Sequence, residues 1–305
     1  MFTVGQNITL PEDFSFRSTV YSHGWCMLEP FSVTGEPFSL SYAAMIESVP
    51  VEYKIGEKTN GKLAVRIYPA NELTSAQRKK CRSMIRSMLR LDEKFDVFYR
   101  LVHKEPELRW IKKRRAGRML RSGTFFEDLI KVVCTTNCSW ALTTIMVGNL
   151  CGVLGESTLS GRKTFPAPGA IAGQSESFMR KEIRAGYRAP YIIELAEAVA
   201  SGKIDVERFR YSAEPTDELY RELVSLKGVG SYAAESLLKL AGRYDHLALD
   251  SWVRKKYYEL YHNGRRVSDK TIAKRYGKFG QWAGLVFWLE MTKDWYYEKF
   301  PVSET

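Results

Sequence analysis

Hydrophobic and polar positions change their period near residue 72. Before that point, short runs such as "FSLSYAAMIES" and "VEYKIGEKTNGKLAVRIYP" favour β-strands separated by turns. Within "KTNGK", Asn60 and Gly61 can both adopt positive φ, which is typical of a tight hairpin between two strands. The pattern therefore predicts a small antiparallel β-rich lobe over residues 1–72.

Helical periodicity replaces this pattern beyond residue 72. Apolar residues recur at the spacing of one face of an amphipathic helix: Cys81, Met84, Ile85, Met88 and Leu89. Thr74 or Ser75 is the expected N-cap of that helix. Prolines and glycines are confined to the joints between later helical segments. We therefore predict a large all-helical body over residues 73–305, and an α+β fold class for the whole chain.

The net charge of the chain indicates a class of binding partner. The 46 Lys and Arg residues exceed the 35 Asp and Glu residues by 11, and the isoelectric point is about 9.3. Such an excess favours a polyanionic partner, either nucleic acid or an acidic membrane surface, although a basic enzyme without such a partner is the alternative. Two basic runs, 104–121 and 254–278, carry much of the excess. Either run could be a solvated helix face, but the second directly follows an isolated acid, Asp250.

Cysteine spacing and terminal composition argue against several other classes. The five cysteines are odd in number and irregularly spaced, and no histidine or second cysteine pair completes a zinc set. We expect free thiols in a reducing compartment, with no metal and no cofactor. The first residues lack a basic segment followed by an apolar run, and no stretch approaches ~18 apolar residues. A cytoplasmic protein that does not enter a membrane is expected.

The segment "LKGVGSYAA" places two glycines at a joint between predicted helices. Gly228 and Gly230 permit positive φ and leave backbone N–H groups open. The helix that starts near Ser231 adds free amides and the positive end of its dipole. A phosphate can dock on such donors without any reading of sequence, although a plain turn between helices is the alternative.

The hairpin and the following acid together resemble the helix–hairpin–helix, Gly/Pro-Asp superfamily of DNA base-excision glycosylases. The hairpin spans residues 223–240, and Asp250 lies 18 residues beyond Tyr232. Lys227 replaces the family's usual hairpin proline and adds a possible phosphate contact. The segments "TFFEDLIKVVCTTNCSW", "GYRAPYIIELAEAVASG" and "YGKFGQWAGLVFW" are similar to parts of the 3-methyladenine and 8-oxoguanine branch. The β-rich lobe fits that branch, and no iron–sulfur cysteine set of the endonuclease III type follows Asp250.

The resemblance implies a reaction type through three residues. Asp250 would be the catalytic carboxylate that stabilises an oxocarbenium-like sugar or directs water to C1′, with helix N-capping as the alternative role. Tyr232 stands where bifunctional members hold a nucleophilic lysine. Tyrosine cannot form a Schiff base, so the resemblance implies a monofunctional enzyme that leaves an abasic site. Lys239, seven residues further on, is a possible substitute nucleophile but is expected on the surface.

The resemblance also implies residues that enter the DNA when a base flips out. Asn137 matches the family's gap-filling position, and Tyr187 and Arg188 match the wedge and the orphan-base contact. A core aromatic is the alternative for Tyr187. Leu142 and Gly284 stand where the 8-oxoguanine branch has a second arginine and a base-gripping glutamine, so specificity for 8-oxoguanine is not implied.

Tryptophans are the candidates for the base pocket, although each could instead belong to the core: Trp25, Trp140, Trp282 and Trp288. Trp288 aligns with a family phenylalanine that stacks on the flipped base. The leading hypothesis is a monomeric glycosylase on double-stranded DNA, with an alkylated purine as the first-choice substrate. Another modified base is the alternative, including a bulky hypermodified pyrimidine of phage DNA admitted by the small Gly284. A non-catalytic DNA-binding module also stays open, whereas no aromatic motif favours RNA.

Overall fold

An antiparallel sheet forms the N-terminal lobe of the computed structural model, which describes residues 3–58 and 61–300. Across these residues the sheet has five strands in the order β1-β5-β4-β3-β2. The strands are β1 Val4–Thr9, β2 Phe31–Thr34, β3 Ser39–Ile46, β4 Val49–Lys58 and β5 Lys62–Pro69. Strands β4 and β5 pair in register up to Lys58 opposite Lys62, as predicted for a hairpin. Gly61 has φ 67°, whereas Asn60 lies outside the described residues.

Helices account for most of the remaining chain, as the periodicity predicts, and the α+β fold class is confirmed. Those in the described residues are α1 Phe16–Val20, α2 Ser75–Met88, α3 Asp96–His103, α4 Arg109–Lys113, α5 Phe125–Thr135, α6 Trp140–Asn149, α7 Pro168–Ala172, α8 Glu176–Lys181, α9 Ala189–Ala200, α10 Thr216–Ser225, α11 Ser231–Ala241, α12 Ser251–His262, α13 Asp269–Tyr276 and α14 Ala283–Met291. The N-cap of α2 is Thr74, which forms a reciprocal capping box with Gln77.

Two hydrophobic cores organise the described residues. The first joins the inner face of the sheet to α2, α5, α9 and α11, so the sheet and the helices share one core across residue 72. The second core is built from α3, α4 and the C-terminal helices α12 to α14. The link from α11 to α12, residues 242–250, passes from the first core to the second. Asp250, at the end of this link, is therefore held between two packed bodies.

Buried arginines occupy the second half of the basic run 104–121. Arg114, Arg118 and Arg121 are at most 7% exposed. Arg118 donates to Asp13 Oδ1 at 2.9 Å, and Arg121 pairs with Glu93 at 3.0 Å. A buried charge is tolerated only when it is paired in this way. This half of the run is therefore structural and is not a solvated helix face.

The five cysteines are free thiols, and Cys138 is the only one not fully buried. Burial raises the pKa of the Cys134 thiol to about 12, so it stays protonated at neutral pH. In the described residues no three histidine, cysteine or acidic side chains converge as metal ligands. Across the same residues, no helix combines the length and apolar character needed to span a membrane.

Candidate active site at the helical hairpin

The glycine hairpin joins α10 to α11 as predicted, but its two glycines serve different purposes. Gly228 adopts φ 82°, and a Cβ at this position would lie 2.7 Å from Cβ of Tyr191. Only glycine fits both the conformation and the close approach. Gly230 adopts φ −85°, which any residue can adopt, and nothing lies within 4 Å of its Cβ position. Its contribution is therefore open space in front of the helix.

The start of α11 presents backbone donors to solvent. Gly230 is the N-cap and provides no side-chain hydrogen bond to the first turn. Gly230 and Ser231 are both exposed. Lys227 is also exposed, and its Nζ lies 2.9 Å from a carboxylate oxygen of Glu194. These donors face an open groove, the hairpin groove, bounded by the hairpin residues 226–232, the 135–138 loop, Tyr187 and Asp250. Such a surface can bind an anion through uncapped amides.

Asp250 lies where the hairpin groove meets a second, more enclosed cavity. Its Oδ1 accepts from the backbone N–H of Val253 at 2.8 Å, so the carboxylate is the N-cap of α12. The side chain is nevertheless partly exposed and lines both spaces. Capping fixes the orientation of the carboxylate and uses one of its oxygens, which leaves the other for a ligand. The two roles considered for Asp250 are therefore compatible.

Tyr232 is the second residue of α11 and lines the same junction. Burial, and then the negative charge of Asp250, raise the pKa of its hydroxyl. The group is thus a neutral phenol at physiological pH. It can donate a hydrogen bond beside Asp250, but it supplies no amine.

The enclosed space, here called the aromatic cavity, has a volume of about 550 Å³. Five indole rings line it: Trp25, Trp140, Trp252, Trp288 and Trp295. The polar groups among them are few and include His23, Tyr232, Lys239 and Asp250. A mostly apolar cavity of this size with a few convergent polar groups is typical of a small-molecule or base site.

Hydrogen bonds to distant segments of the chain fix two of the tryptophans. The Trp25 indole N–H donates to Asp128 Oδ1 at 2.8 Å, and the Trp288 indole N–H donates to the Ser22 carbonyl at 2.9 Å. His23, two residues before Trp25, stacks on it at 4.8 Å between ring centroids. Burial lowers the pKa of His23 to about 3, so this ring is neutral. Hydrogen bonds therefore fix two of the five indole rings, and the histidine of the cavity carries no charge.

Three of the four tryptophans predicted for the pocket line the aromatic cavity, and Trp282 does not. Trp282 packs in the second core, 5.0 Å from the Phe98 ring centroid and 5.4 Å from that of Tyr244. Sequence reasoning missed Trp252 and Trp295. The position of Trp252, two residues after Asp250, was a usable signal, whereas nothing local marks Trp295.

The interpretation that Gly284 opens the pocket is wrong. A Cβ on Gly284 would lie 1.9 Å from the His246 carbonyl oxygen, and its amide donates to the Tyr244 carbonyl at 2.6 Å. This glycine allows two backbone segments to touch, and it does not line the aromatic cavity. Any room for a bulky base comes from the tryptophan-lined wall.

The expectation that Lys239 lies on the surface is also wrong. The residue is 4% exposed and lines the aromatic cavity. Its Nζ donates to the Leu247 carbonyl at 3.2 Å and lies 5.4 Å from the centroid of the Trp288 ring. A separation of seven residues is two helical turns, so Lys239 shares a face of α11 with Tyr232. That spacing was the sequence signal for its position.

The three residues predicted to enter DNA converge on one edge of the hairpin groove. Asn137 is exposed with φ 46°, and its side-chain amide donates to the Tyr187 hydroxyl at 3.3 Å. Tyr187 is 46% exposed, so it is not a core aromatic. Arg188 is 3% exposed, donates to the Thr136 carbonyl, and lies 4.5 Å from the Tyr187 ring. Arg188 thus supports the 136–137 loop from beneath, and its contact with an orphan base stays a prediction.

The second basic run is partly neutralised by acids. Arg254 makes two hydrogen bonds of 2.9 Å to Asp269, and Lys256 lies 3.0 Å from Asp294. Lys278 pairs with Glu105 at 2.8 Å. Several other basic residues of the run are exposed: Lys255, Arg265, Arg266, Lys270 and Lys274. Of the paired residues, Arg254 is the one that lines the hairpin groove.

Several solved protein structures are similar to this chain over nearly its whole length. No family model and no curated protein matches the sequence. A 3-methyladenine DNA glycosylase from Archaeoglobus fulgidus is similar over 96% of this chain and 99% of its own, with 20% identity and a TM-score of 0.76. An 8-oxoguanine glycosylase/lyase from Clostridium acetobutylicum in its apo form is similar over 94% and 95%, with 18% identity and a TM-score of 0.72. The same enzyme in complex with double-stranded DNA that contains cytosine opposite 8-oxoguanine is similar over 96% of this chain and 97% of its own, with 18% identity and a TM-score of 0.72. The chain therefore has the fold of the 3-methyladenine and 8-oxoguanine DNA glycosylases, as the helix–hairpin–helix resemblance predicts.

Proposed function

We propose that the protein is a DNA glycosylase that flips a modified base out of duplex DNA and hydrolyses its N-glycosidic bond. One observation carries the proposal: the Asp250 carboxylate lines both the hairpin groove and the tryptophan-lined aromatic cavity of about 550 Å³. A base cannot react while it is stacked in the duplex, so an enzyme of this class needs a backbone-binding surface beside a base-sized pocket.

Asp250 is the proposed catalytic residue. Cleavage of the bond between base and sugar develops positive charge on the deoxyribose, and a fixed carboxylate stabilises that charge or orients the attacking water. The cap to Val253 holds the carboxylate in place before the substrate arrives. The cost of orienting this group is therefore met during folding and does not add to the barrier of the reaction.

Binding to double-stranded DNA is proposed from the groove and from the solved relatives. The uncapped amides of α11 offer donors for a phosphate, and Lys227 adds a cation beside them. The Clostridium acetobutylicum enzyme, with the same fold, has been solved with double-stranded DNA. The proposed fillers of the gap that a flipped nucleotide leaves are Asn137 and Tyr187, which are exposed and hydrogen-bonded to each other at the edge of the groove.

Absence of lyase activity is proposed from Tyr232. Strand cleavage by β-elimination requires an amine that forms a Schiff base with the sugar, and the phenol at this position cannot form one. The proposed product is an intact strand with an abasic site.

The substrate class is a modified base that stacks between indole rings. An alkylated purine is the first-choice hypothesis from the resemblance, and the cavity volume also allows a bulkier base. The Asp250 carboxylate caps α12 and also lines the aromatic cavity, and this second feature, which capping does not require, favours an enzyme over a binding module.

The test is direct incubation with duplexes that each carry one modified base, followed by hot alkali. We expect release of at least one base, an abasic product, and strand breaks that appear only after alkali treatment. If tight binding to duplex DNA occurs without release of any base from a broad panel, the protein is a binding module.

A further inference from the structure

The aromatic cavity contains a buried lysine that the proposed reaction has not used. Among the described residues that line it, Lys239 is the one with an ammonium or guanidinium group. Burying a lysine costs free energy unless its charge and its donors are satisfied. Of its three N–H donors, one is taken by the Leu247 carbonyl. The other two have no hydrogen-bond acceptor among residues 3–58 and 61–300.

The charges that face Lys239 come from two elements. Glu235 lies one turn earlier on α11, and Asp250 begins α12. His23, on the opposite wall, is neutral. The amino group is also near the face of Trp288, at 5.4 Å from the ring centroid. The Lys239 ammonium therefore already occupies the position over the Trp288 ring that a cationic ligand would otherwise take.

We propose that Lys239 donates a proton to the flipped base as the base departs, and that it makes the site prefer an uncharged modified base over a cationic N-alkylated purine. This inference rests on the proposed glycosylase function, and it restricts the alkylated purines proposed as first-choice substrates to those that carry no charge. The atom that would accept the proton from Lys239 is a ring nitrogen or carbonyl oxygen of the base, which becomes more basic as the bond to the sugar breaks.

The step balances as a hydrolysis. The bond between C1′ and the base nitrogen breaks, and its electron pair stays with the base, which accepts a proton from the Lys239 ammonium. Water adds its oxygen to C1′ and loses a proton beside Asp250. The lysine then regains a proton, so the sum is one water molecule split between sugar and base.

Electrostatics explain the proposed preference. A cationic purine in the same cavity would meet the ammonium at short range, and like charges destabilise each other in a poorly solvated site. A cationic base also leaves without any need for a proton. A neutral base requires that proton, and it offers acceptors for the two free N–H donors.

The protonation state of Lys239 suits this role. Burial lowers the pKa of its amino group to about 8, while the charges of Glu235 and Asp250 partly oppose that shift. The ammonium is then the main form at pH 7 and is acidic enough to give up its proton. The excision rate on a neutral base should therefore fall as the pH rises through about 8.

The experiment compares wild type with Lys239→Met and Lys239→Arg in single-turnover excision across pH. Matched duplexes carry hypoxanthine (as deoxyinosine) or 8-oxoguanine as the neutral base, and 7-methylguanine as the cationic base. We expect Lys239→Met to slow release of the neutral base by ~10²-fold or more, the range for a lost general acid, and to remove the decline in rate near pH 8. Release of 7-methylguanine should be unchanged or faster. Lys239→Arg keeps the charge and should keep the discrimination against 7-methylguanine.

Controls separate this inference from others. Lys54→Met, an exposed change in β4, controls for loss of a positive charge, and thermal unfolding of each variant controls for folding. Equal loss on both kinds of base at every pH would make Lys239 a structural residue. Borohydride trapping that depends on Lys239 would make it a nucleophile instead. Either result overturns the proposal and leaves the glycosylase intact, whereas release of no base by wild type overturns the proposed function itself.

Discussion

The hairpin groove and the aromatic cavity meet at Asp250 but are built from different materials. The groove combines backbone features, a glycine with positive φ and an uncapped helix start, with aromatic and charged side chains such as Tyr187, Glu194 and Arg254. The cavity is lined mainly by large side chains, two of which are fixed by hydrogen bonds to distant segments of the chain. Backbone donors bind any phosphate, so the groove cannot distinguish sequences. Discrimination between bases must therefore come from the cavity.

The largest expected effect lies at the junction of the two regions. Asp250→Asn keeps the shape of the carboxylate and can still cap α12, but it removes the negative charge. We expect the excision rate to fall by ~10²-fold or more, as for a lost charge stabiliser, with DNA affinity retained. Single-turnover kinetics and a binding titration measure the two separately. Near-normal excision by this variant would show that Asp250 is only a helix cap.

A second prediction tests whether the groove binds by charge. If the hairpin and the exposed basic residues contact several phosphates, affinity for duplex DNA should fall by ~0.9 log unit per contact for each tenfold rise in salt. Titrations at several salt concentrations give the slope. The balance between bases that wild type excises should change little with salt, because discrimination between bases is assigned to the cavity, whose lining is mostly apolar. A flat response of affinity would leave the basic faces as solvated surface.

A matched pair of glycine substitutions sharpens the account of the groove. Gly228→Ala forces an alanine into φ 82° and against Tyr191, so we expect it to destabilise the fold by ~1–3 kcal/mol and to weaken DNA binding. Gly230→Ala introduces the same methyl group at φ −85° into open space and serves as the control. Thermal unfolding and binding titrations compare them. Equal effects of the two changes would contradict the different roles given to the glycines.

The smallest expected effect is a gain of function at Tyr232. Tyr232→Lys places an amine beside Asp250, which can accept its proton and activate it for attack at C1′. We expect trace covalent trapping by borohydride on a duplex with an excisable base, and none with wild type. Gel shift of the trapped complex is the measurement. Efficient trapping of the wild-type protein would show that another lysine is the nucleophile, and Lys239 would be the first lysine to test by mutation. The monofunctional interpretation would then be wrong.

Local sequence was sufficient for the parts of the molecule that depend on neighbours along the chain. The capping box at Thr74, the positive φ of Gly228 and the start of α12 after Asp250 each depend on residues within about four positions along the chain. The close approach of Tyr191 to Gly228 is the exception, because Tyr191 belongs to α9. The amphipathic period likewise predicted α2 and its buried face. The resemblance added Asp250 and Tyr232 as one site, and the structure brings both to the same junction.

Only the tertiary structure decided which long side chains face the cavity and which enter a core. Trp282 and Trp288 lie six residues apart and both pack against the second core, yet Trp288 also lines the cavity and Trp282 does not. The same holds for the basic residues: Arg118 and Lys239 are buried, whereas Lys112 and Lys270 are exposed. A helical period identifies the face on which a residue lies, but the neighbouring element decides whether that face meets solvent, a core or a cavity. Those neighbours come from segments more than 100 residues apart, as with Trp288 and Ser22, so the local pattern carries no information about them.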